Sequence, residues 1–254
     1  MKMLNDEFNY FRGLFPLKVF ITGPPCSGKT FFASQLSEQY GIPHLRIKDI
    51  IHYALSLDND FGKQLKIKIE ELKDQAEADY EKSRKKKDPD FDRESCNPRL
   101  TDDILADLVK FQLGSAACMN KGFILDGFPR SKEDAELVFT TEVPIEKPEK
   151  EGDEDPEGAG EEEPQTKREL NEKILPQYCI AFEADDAFLA QRAKEIKPEE
   201  VEGTHFNDAG MARRLKEYRT RNQDDSGNTV KDFITETIGY PNVLVVDASI
   251  PNAE

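Results

Sequence analysis

The amino-acid sequence predicts an α/β fold, a five-stranded parallel sheet with helices on both faces, and three observations lead to this prediction. Short apolar runs alternate with helical patterns along the chain, as strands and crossover helices do in parallel sheets. Five of these runs have the length of strands, and they begin at Leu17, His44, Phe123, Tyr178 and Val243. Of the 254 residues, 37% are hydrophobic, which is enough for one good-sized core. We therefore expect a single domain over residues 1–254.

The first strand runs into a glycine-containing loop that ends in Lys-Thr. Residues 23–30 read Gly-Pro-Pro-Cys-Ser-Gly-Lys-Thr and precede an amphipathic helix, which is the order of a phosphate-binding P-loop. Gly23 and Gly28 allow the tight turn that aims backbone N–H groups at a polyphosphate. We expect Lys29 to reach the outer phosphates, and the Thr30 hydroxyl to bind the Mg²⁺ that nucleotide polyphosphates bring with them. The predicted nucleotide-binding residues of this loop are Gly23, Pro25, Cys26, Ser27, Gly28, Lys29 and Thr30.

The segment after the P-loop helix predicts mostly helical structure. A helix stop at Tyr40-Gly41 ends the P-loop helix, and a short strand follows at residues 44–47. Residues 48–57 place apolar side chains at helical spacing. Residues 61–87 are charged at most positions, which predicts a long exposed helix or a helical hairpin. We interpret residues 48–99 as a helical insertion.

The second half of the chain contains the other three strands. Thr101 and the two aspartates after it form the start of a helix, with an N-cap and acids in the first turn. The strand at 123–126 ends in Asp126, the carboxylate with which a P-loop enzyme holds Mg²⁺ directly or through water. Beyond it we expect a strand at 178–182, helices at 185–194 and 208–221, and the last strand at 243–247.

The formal net charge of -16 is concentrated in one segment. Residues 146–164 contain ten acidic residues and two lysines, and they cannot bury enough apolar surface to offset the entropy of ordering. We expect a disordered surface loop at about 142–166, either a solvated spacer or a segment with a binding role. The acidic balance argues against general nucleic-acid binding, which depends on cationic contacts with phosphate.

Composition also argues against several other classes of protein. No apolar run approaches the roughly 18 residues of a membrane span, and the N-terminus is too polar for a secretory signal. The four cysteines and three histidines lack the spacing of a disulfide framework or a zinc site. We expect a soluble cytoplasmic protein with no membrane or nucleic-acid partner. Its end just past the last strand suggests an excerpt from a longer protein.

The strand-end carboxylate continues as Asp126-Gly127-Phe128-Pro129-Arg130, and here the sequence resembles the adenylate kinases, which are nucleoside monophosphate kinases. The resemblance runs from Leu17 to about Ser249. It includes Arg214-Leu215-Lys216-Glu217-Tyr218, which is similar to the Arg-Leu-x-x-Tyr of the helix that leaves the lid in this family. The resemblance implies a P-loop NTPase fold in which residues 48–99 bind the monophosphate and about 195–210 form a short lid.

The resemblance also implies the reaction, ATP + AMP to 2 ADP with Mg²⁺ as cofactor, and the residues that serve it. The implied catalytic residues are Lys29, Arg130 and Arg214, and the implied metal ligands are Thr30 and Asp126. Besides the P-loop, Arg192 and Ser249 would contact ATP. The acceptor would be contacted by Asp49, His52, Gly127, Arg130 and Asp134. Arg221 shares a helix face with Arg214 and could join it, but we expect it to be an ordinary solvated arginine.

The acceptor site departs from the pattern of the family. His52 stands in place of an arginine that binds the AMP phosphate, Asp134 stands in place of a glutamine that contacts adenine, and the lid arginines have no clear counterpart in residues 196–206. Attenuated activity is therefore one expectation. Two alternatives stay open: an ATP-binding module or scaffold of a ciliary assembly, and a kinase for another monophosphate. The short lid and the acidic loop resemble the ciliary and flagellar members of the family, which implies an axonemal location and axonemal partners.

Overall fold

The computed structural model describes residues 15–84, 90–94, 96, 98–144, 166–195, 208–222 and 227–250, together with 3–4, 7–8 and 11. The strands are β1 (Leu17–Thr22), β2 (His44–Arg46), β3 (Gly122–Asp126), β4 (Thr140–Pro144), β5 (Thr166–Leu170), β6 (Tyr178–Glu183) and β7 (Val243–Asp247). The helices are α1 (Lys29–Tyr40), α2 (Ile47–Ser56), α3 (Asp60–Ser83), α4 (Asp102–Leu113), α5 (Ala116–Lys121), α6 (Lys132–Phe139), α7 (Asp186–Glu195), α8 (Asp208–Arg221) and α9 (Val230–Ile238), followed by a short 3-10 helix at Tyr240–Asn242.

Five parallel strands form the main sheet in the order β2-β3-β1-β6-β7, which confirms the predicted α/β fold. Each of the five begins at the predicted residue or one residue before it. The two central strands, β1 and β3, are buried on both faces. Strands in this position have continuous apolar sequences because both sets of alternating side chains face helices.

Helices cover both faces of the sheet. Phe20 of β1 and Leu125 of β3 point into the larger cluster of buried side chains, which α4, α6 and α9 complete. Their neighbours Ile21 and Ile124 point to the opposite face, where Ala33 of α1 packs against them. The alternation along each strand thus supplies two cores, and each large apolar side chain buried in them stabilises the fold by about 1.5–3 kcal/mol.

The charged segment of the predicted insertion forms one long helix, α3, over the residues described there, 61–84. The Asn59 side chain caps this helix by accepting a hydrogen bond of 2.8 Å from the Gly62 N–H. Phe61 stacks on Phe111 of α4, with ring centroids 4.3 Å apart, and so joins the insertion to the main core. Further along, the Arg93 guanidinium pairs with three carboxylates of α3, those of Glu70, Asp74 and Glu77.

Other parts of the fold differ from the sequence prediction. Both ends of the predicted acidic loop are ordered, because Glu142–Pro144 belong to β4 and Thr166 to β5, and these strands pair antiparallel. The sequence reading also missed three helices: α5, α6 and α9. Residues 145–165 of the predicted loop and 196–207 of the predicted lid lie outside the described residues. Within the ranges described, no helix has the length and apolar character needed to cross a bilayer.

Gly122, at the start of β3, is expected to be essential for stability. Its φ is +90°, and a Cβ added there would clash with the Leu17 carbonyl oxygen on the neighbouring strand. We expect Gly122→Ala to lower the free energy of unfolding by about 3 kcal/mol, because both the backbone conformation and the strand contact oppose a side chain. Denaturant unfolding of the purified chain measures this change.

Gly41 provides the matched control for this substitution. It also has a positive φ, +64°, but no atom lies within 4 Å of an added Cβ. Gly41→Ala should therefore lower the free energy of unfolding by only about 1 kcal/mol, the value expected for the left-handed conformation alone. Equal losses in the two variants would contradict the role assigned to the contact with β1.

Candidate active site

The candidate site lies at the carboxyl ends of β1, β2 and β3. Parallel pairing places Ile21 opposite Asp126, and Asp126 opposite Arg46. The Gly127 N–H donates a hydrogen bond of 2.9 Å to the Ile21 carbonyl, which holds the segment after β3 beside the P-loop. The two sequence motifs that lie about a hundred residues apart in the chain are therefore neighbours. Ligand sites of open α/β sheets form at this edge.

The P-loop has the backbone geometry of an anion site. A Cβ at Gly23 would lie 2.6 Å from the Phe182 carbonyl oxygen, so only glycine allows this close approach. Cys26 is the one non-glycine residue with positive φ, 62°, in the described part of the chain. Helix α1 begins directly after the loop, with no side chain capping its first N–H groups and no acidic residue in its first turn. These N–H groups and the helix dipole favour an anionic ligand.

Lys29 points back into the loop. Its Nζ donates to the Pro24 carbonyl at 2.5 Å and lies 3.3 Å from Ser27 Oγ. Burial lowers the pKa of Lys29 to about 8, the positive charges of Arg214 and Arg130 add to the decrease, and the Asp126 carboxylate opposes it. The predicted cations Lys29, Arg130 and Arg214 therefore act on one another in a single site. An anion bound among them would relieve their repulsion.

Asp126 is buried at the end of β3, with 4% of its side chain exposed. Its Oδ2 lies 3.1 Å from His44 Nε2, a contact between β3 and β2 that the sequence did not suggest. Thr30, the other predicted metal ligand, is exposed at the start of α1. The structure contains no cluster of three or more His, Cys, Asp or Glu side chains able to hold a metal, among the residues it describes. One carboxylate and one hydroxyl fit a magnesium ion that is held mainly by nucleotide phosphates and water.

Arg130 lies in a loop whose backbone is held on both sides. The Asp134 carboxylate accepts hydrogen bonds from the N–H groups of Arg130 (3.1 Å) and Ser131 (3.2 Å), and Ser131 caps α6 in return. The Arg130 carbonyl accepts a bond of 2.9 Å from Asn222 Nδ2. Only 2% of Asp134 is exposed, and its predicted contact with a substrate base stays a prediction. Its carboxylate holds the backbone of the loop that carries Arg130.

Arg192 of α7 faces the P-loop from the other side. A Cβ added at Gly28 would lie 3.3 Å from Arg192 Nη2, so the guanidinium group covers the start of α1. Burial raises the pKa of the Cys26 thiol, whereas the charges of Arg214, Lys29 and Arg192 lower it. Arg192 and Arg214 thus contribute positive charge at the same loop, where the sequence analysis expects the triphosphate.

Three predicted residues lie apart from this cluster. Asp49 is exposed and accepts a bond of 2.5 Å from Arg46 Nε, and His52 is exposed on α2. Ser249 is exposed in the turn after β7, where its N–H and hydroxyl both bond to Asp247 Oδ1. In the described part of the chain, no hydrogen bond or ion pair links any of the three to Arg130 or Lys29. Their roles as nucleotide contacts stay predictions.

Two further arginines act on Arg130: Arg221, which the sequence analysis expected to be solvated, and Arg99, which it did not consider. Burial lowers the pKa of Arg130, and so do the charges of Arg221, Arg214 and Arg99, whereas Asp134 opposes the change. Arg221 is half-buried and not an ordinary solvated residue, with 32% of its side chain exposed. The seven-residue spacing between Arg214 and Arg221 was the available signal. Nothing in the local sequence distinguishes Arg99.

Comparison with known proteins identifies relatives of this chain. It is 30% identical over 239 residues to mouse (Mus musculus) adenylate kinase 7, and 30% identical over 242 residues to adenylate kinase 7 of Macaca fascicularis. Each alignment covers 92% of this chain, but only 36% of the mouse and 42% of the macaque protein. An adenylate kinase of the bacterium Bartonella tribocorum is 30% identical over 122 residues, 48% of this chain and 50% of that protein. A scan against protein-family models gives no match.

Proposed function

Because this chain belongs to the adenylate kinase family, we propose that it catalyses the reversible transfer of a phosphoryl group, ATP + AMP to 2 ADP. The observation that carries the proposal is the convergence of Lys29, Asp126, Arg130 and Arg214 beside the P-loop. Since the chain spans well under half the length of its adenylate kinase 7 relatives, the proposal concerns the activity of this segment.

On the donor side, the first N–H groups of α1 and the Lys29 ammonium would hold the ATP phosphates. In this arrangement Lys29 exchanges its bond to the Pro24 carbonyl for phosphate oxygens. Arg192, which already covers Gly28, would contact the same nucleotide. The positive side chains therefore fix the donor before the reaction and need little rearrangement during it.

In the transfer step, an AMP phosphate oxygen attacks the γ-phosphorus of ATP. A new P–O bond forms to that oxygen, and the bond between the γ-phosphorus and the β–γ bridging oxygen breaks, so that both products are ADP. Arg130 and Arg214 would neutralise the negative charge shared by the two nucleotides. Closure of the predicted lid would exclude water, which otherwise accepts the phosphoryl group.

Magnesium fits the donor set and is part of the proposal. Asp126 would hold it through its carboxylate, directly or through water, and Thr30 through its hydroxyl. When bound, the ion would neutralise charge on the β- and γ-phosphates. His44, 3.1 Å from the carboxylate, would keep Asp126 in one orientation.

A coupled assay for ADP tests the proposal. Purified protein with MgATP and AMP should form ADP in an AMP-dependent manner, and a panel of AMP, GMP, CMP and UMP should give the highest kcat/KM with AMP. Highest activity with another monophosphate would correct the acceptor but not the reaction. Binding of MgATP without turnover of any monophosphate would overturn the proposal in favour of a binding module.

The affinity for MgATP is expected to decrease above pH 8. A lysine with a lowered pKa is charged below that pKa and loses its charge as the pH rises through it, so below pH 8 Lys29 is ready to bind phosphate. Between pH 8 and 9 binding must restore the proton to a growing fraction of Lys29, and Kd should rise by about fivefold. Calorimetry in two buffers of different ionisation enthalpy should show uptake of close to one proton at pH 9 and almost none at pH 7.

Lys29→Arg is the control for this pH dependence. The guanidinium keeps its charge throughout this pH range, so Kd should not change between pH 8 and 9, whatever its absolute value. No proton uptake by the original protein at pH 9 would contradict the role of Lys29 as the titrating group.

The sequence resemblance to ciliary and flagellar members of the family supports a finer proposal, a location in the axoneme with axonemal partners. Imaging of the tagged protein in ciliated cells tests this. A uniform cytoplasmic distribution would contradict it.

A further inference from the structure

Arg221 is the last residue of α8, and it faces the loop that carries Arg130. Its Nη1 lies 3.9 Å from Asp134 Oδ2, the oxygen that accepts the hydrogen bonds from the Arg130 and Ser131 N–H groups. The two arginines therefore share one neighbouring carboxylate, although 91 positions separate them in the sequence.

The next residue, Asn222, fixes this end of α8 in place. Its side chain is buried and donates 2.9 Å and 3.2 Å hydrogen bonds to the carbonyls of Arg130 and Tyr218, and it accepts one from the Val230 N–H at 3.2 Å. Because these partners are backbone atoms of the Arg130 loop, α8 and α9, the position of Arg221 beside Arg130 is set by the fold.

Arg130 is surrounded by other charged side chains. The guanidinium groups of Arg221, Arg214 and Arg99 act against its positive charge, and the Asp134 carboxylate favours it. That carboxylate is buried and already accepts hydrogen bonds from two backbone N–H groups. Guanidinium groups gathered around one carboxylate whose oxygen is already hydrogen-bonded are suited to an anionic group with several oxygens.

We propose that Arg221, together with Arg130, binds the phosphate group of the acceptor nucleotide. The inference rests on the proposed function and adds a residue to its acceptor site. His52, at the position where the family resemblance leads one to expect a phosphate-binding arginine, is exposed on α2. Arg221 supplies a second guanidinium to the phosphate from α8 instead, and a planar guanidinium can bind two phosphate oxygens at once.

Steady-state kinetics of Arg221→Met test this inference, with Arg213→Met as the matched control. Arg213 lies on the same helix, is exposed and is 3.9 Å from Glu217. We expect Arg221→Met to raise KM for AMP by about 10- to 100-fold and to change KM for ATP by less than twofold. Arg213→Met should change neither, and Arg221→Lys should recover only part of the AMP affinity. Calorimetric titration with AMP alone should show the same ranking without turnover.

The outcomes separate this inference from the proposed function. An active original protein whose KM for AMP changes less than threefold in Arg221→Met overturns the role of Arg221 and leaves the function standing. Equal increases in both KM values, with a lower Tm, would also overturn it, because they indicate a structural role. An inactive original protein that binds AMP, and binds it more weakly as Arg221→Met, supports the inference and refutes the function. No AMP binding by the original protein overturns both.

Discussion

Lys29→Met should lower kcat/KM by about 1,000-fold, equivalent to about 4 kcal/mol of transition-state stabilisation. The ammonium is the group that the P-loop directs inward, 2.5 Å from the Pro24 carbonyl and 3.3 Å from Ser27 Oγ. Methionine has a similar shape without the charge, so the loop should keep its geometry while the phosphates lose their principal cation. The coupled assay measures the change in kcat/KM, and calorimetry measures the loss of MgATP affinity.

The same substitution should leave the protein at least as stable as before. Burial lowers the pKa of Lys29 to about 8, and below pH 8 the folded protein therefore bears the unfavourable burial of a charge that the unfolded chain exposes to water. Methionine removes this effect, so Tm at pH 7 should stay constant or rise. Lys63→Met is the control. The Lys63 side chain is 60% exposed, and its ion pair with Asp58, 3.8 Å long, lies at the surface. Loss of activity that is accompanied by a lower Tm would mean that Lys29 has a structural role.

Arg130→Met should lower kcat by about 1,000-fold and leave the Kd for MgATP within threefold. The guanidinium lies among other positive groups in the free protein and would be matched by negative charge only when both nucleotides are bound. Arg130→Lys should recover little of the activity, since an ammonium cannot make the two parallel bonds of a guanidinium to phosphate. Turnover at saturating AMP and calorimetry with MgATP measure the two quantities.

Folding should tolerate this substitution, which makes the result interpretable. The Arg130 loop is held through its N–H by Asp134 and through its carbonyl by Asn222, and neither bond involves the side chain. Arg168→Met, in the hairpin of β4 and β5, controls for the general loss of a surface arginine. A kcat for Arg130→Met within tenfold of the original value would remove Arg130 from the proposed mechanism.

The sheet could be predicted from the sequence because its strands are local apolar runs. β1 and β3 are buried on both faces, so their central residues, 19–21 and 123–125, form unbroken apolar runs. The pairing of β4 with β5 could not be predicted in this way. These strands are polar, they lie on opposite sides of the acidic segment, and their register depends on pairs such as Glu142 with Arg168.

Two of the missed helices carried a recognisable signal. α6 and α9 both begin with a capping box, Ser131 with Asp134 in the first and Thr229 with Asp232 in the second. The family resemblance assigned Asp134 to substrate binding, and this interpretation hid its local role at the helix end. α5, with only six residues, is too short for a helical period to be visible.

The candidate site also has residues that the sequence could indicate and residues that it could not. The P-loop and the segment from Asp126 to Arg130 are continuous motifs, so Lys29 and Arg130 could be named as candidates from the sequence. Arg221 could not be placed beside Arg130, because that proximity comes from the hydrogen bonds of Asn222 to partners as far as 92 positions away. His44 next to Asp126 likewise follows from the pairing of β2 with β3.

The bonds of Asn222 have a bearing on how such an enzyme can evolve. Because they join main-chain atoms, they place the Arg130 loop without regard to which side chains that loop carries. Mutations can therefore exchange the side chains that would recognise the second nucleotide while the backbone of the loop keeps its position. The proposed acceptor specificity could therefore change by substitution in this loop without first destabilising the fold.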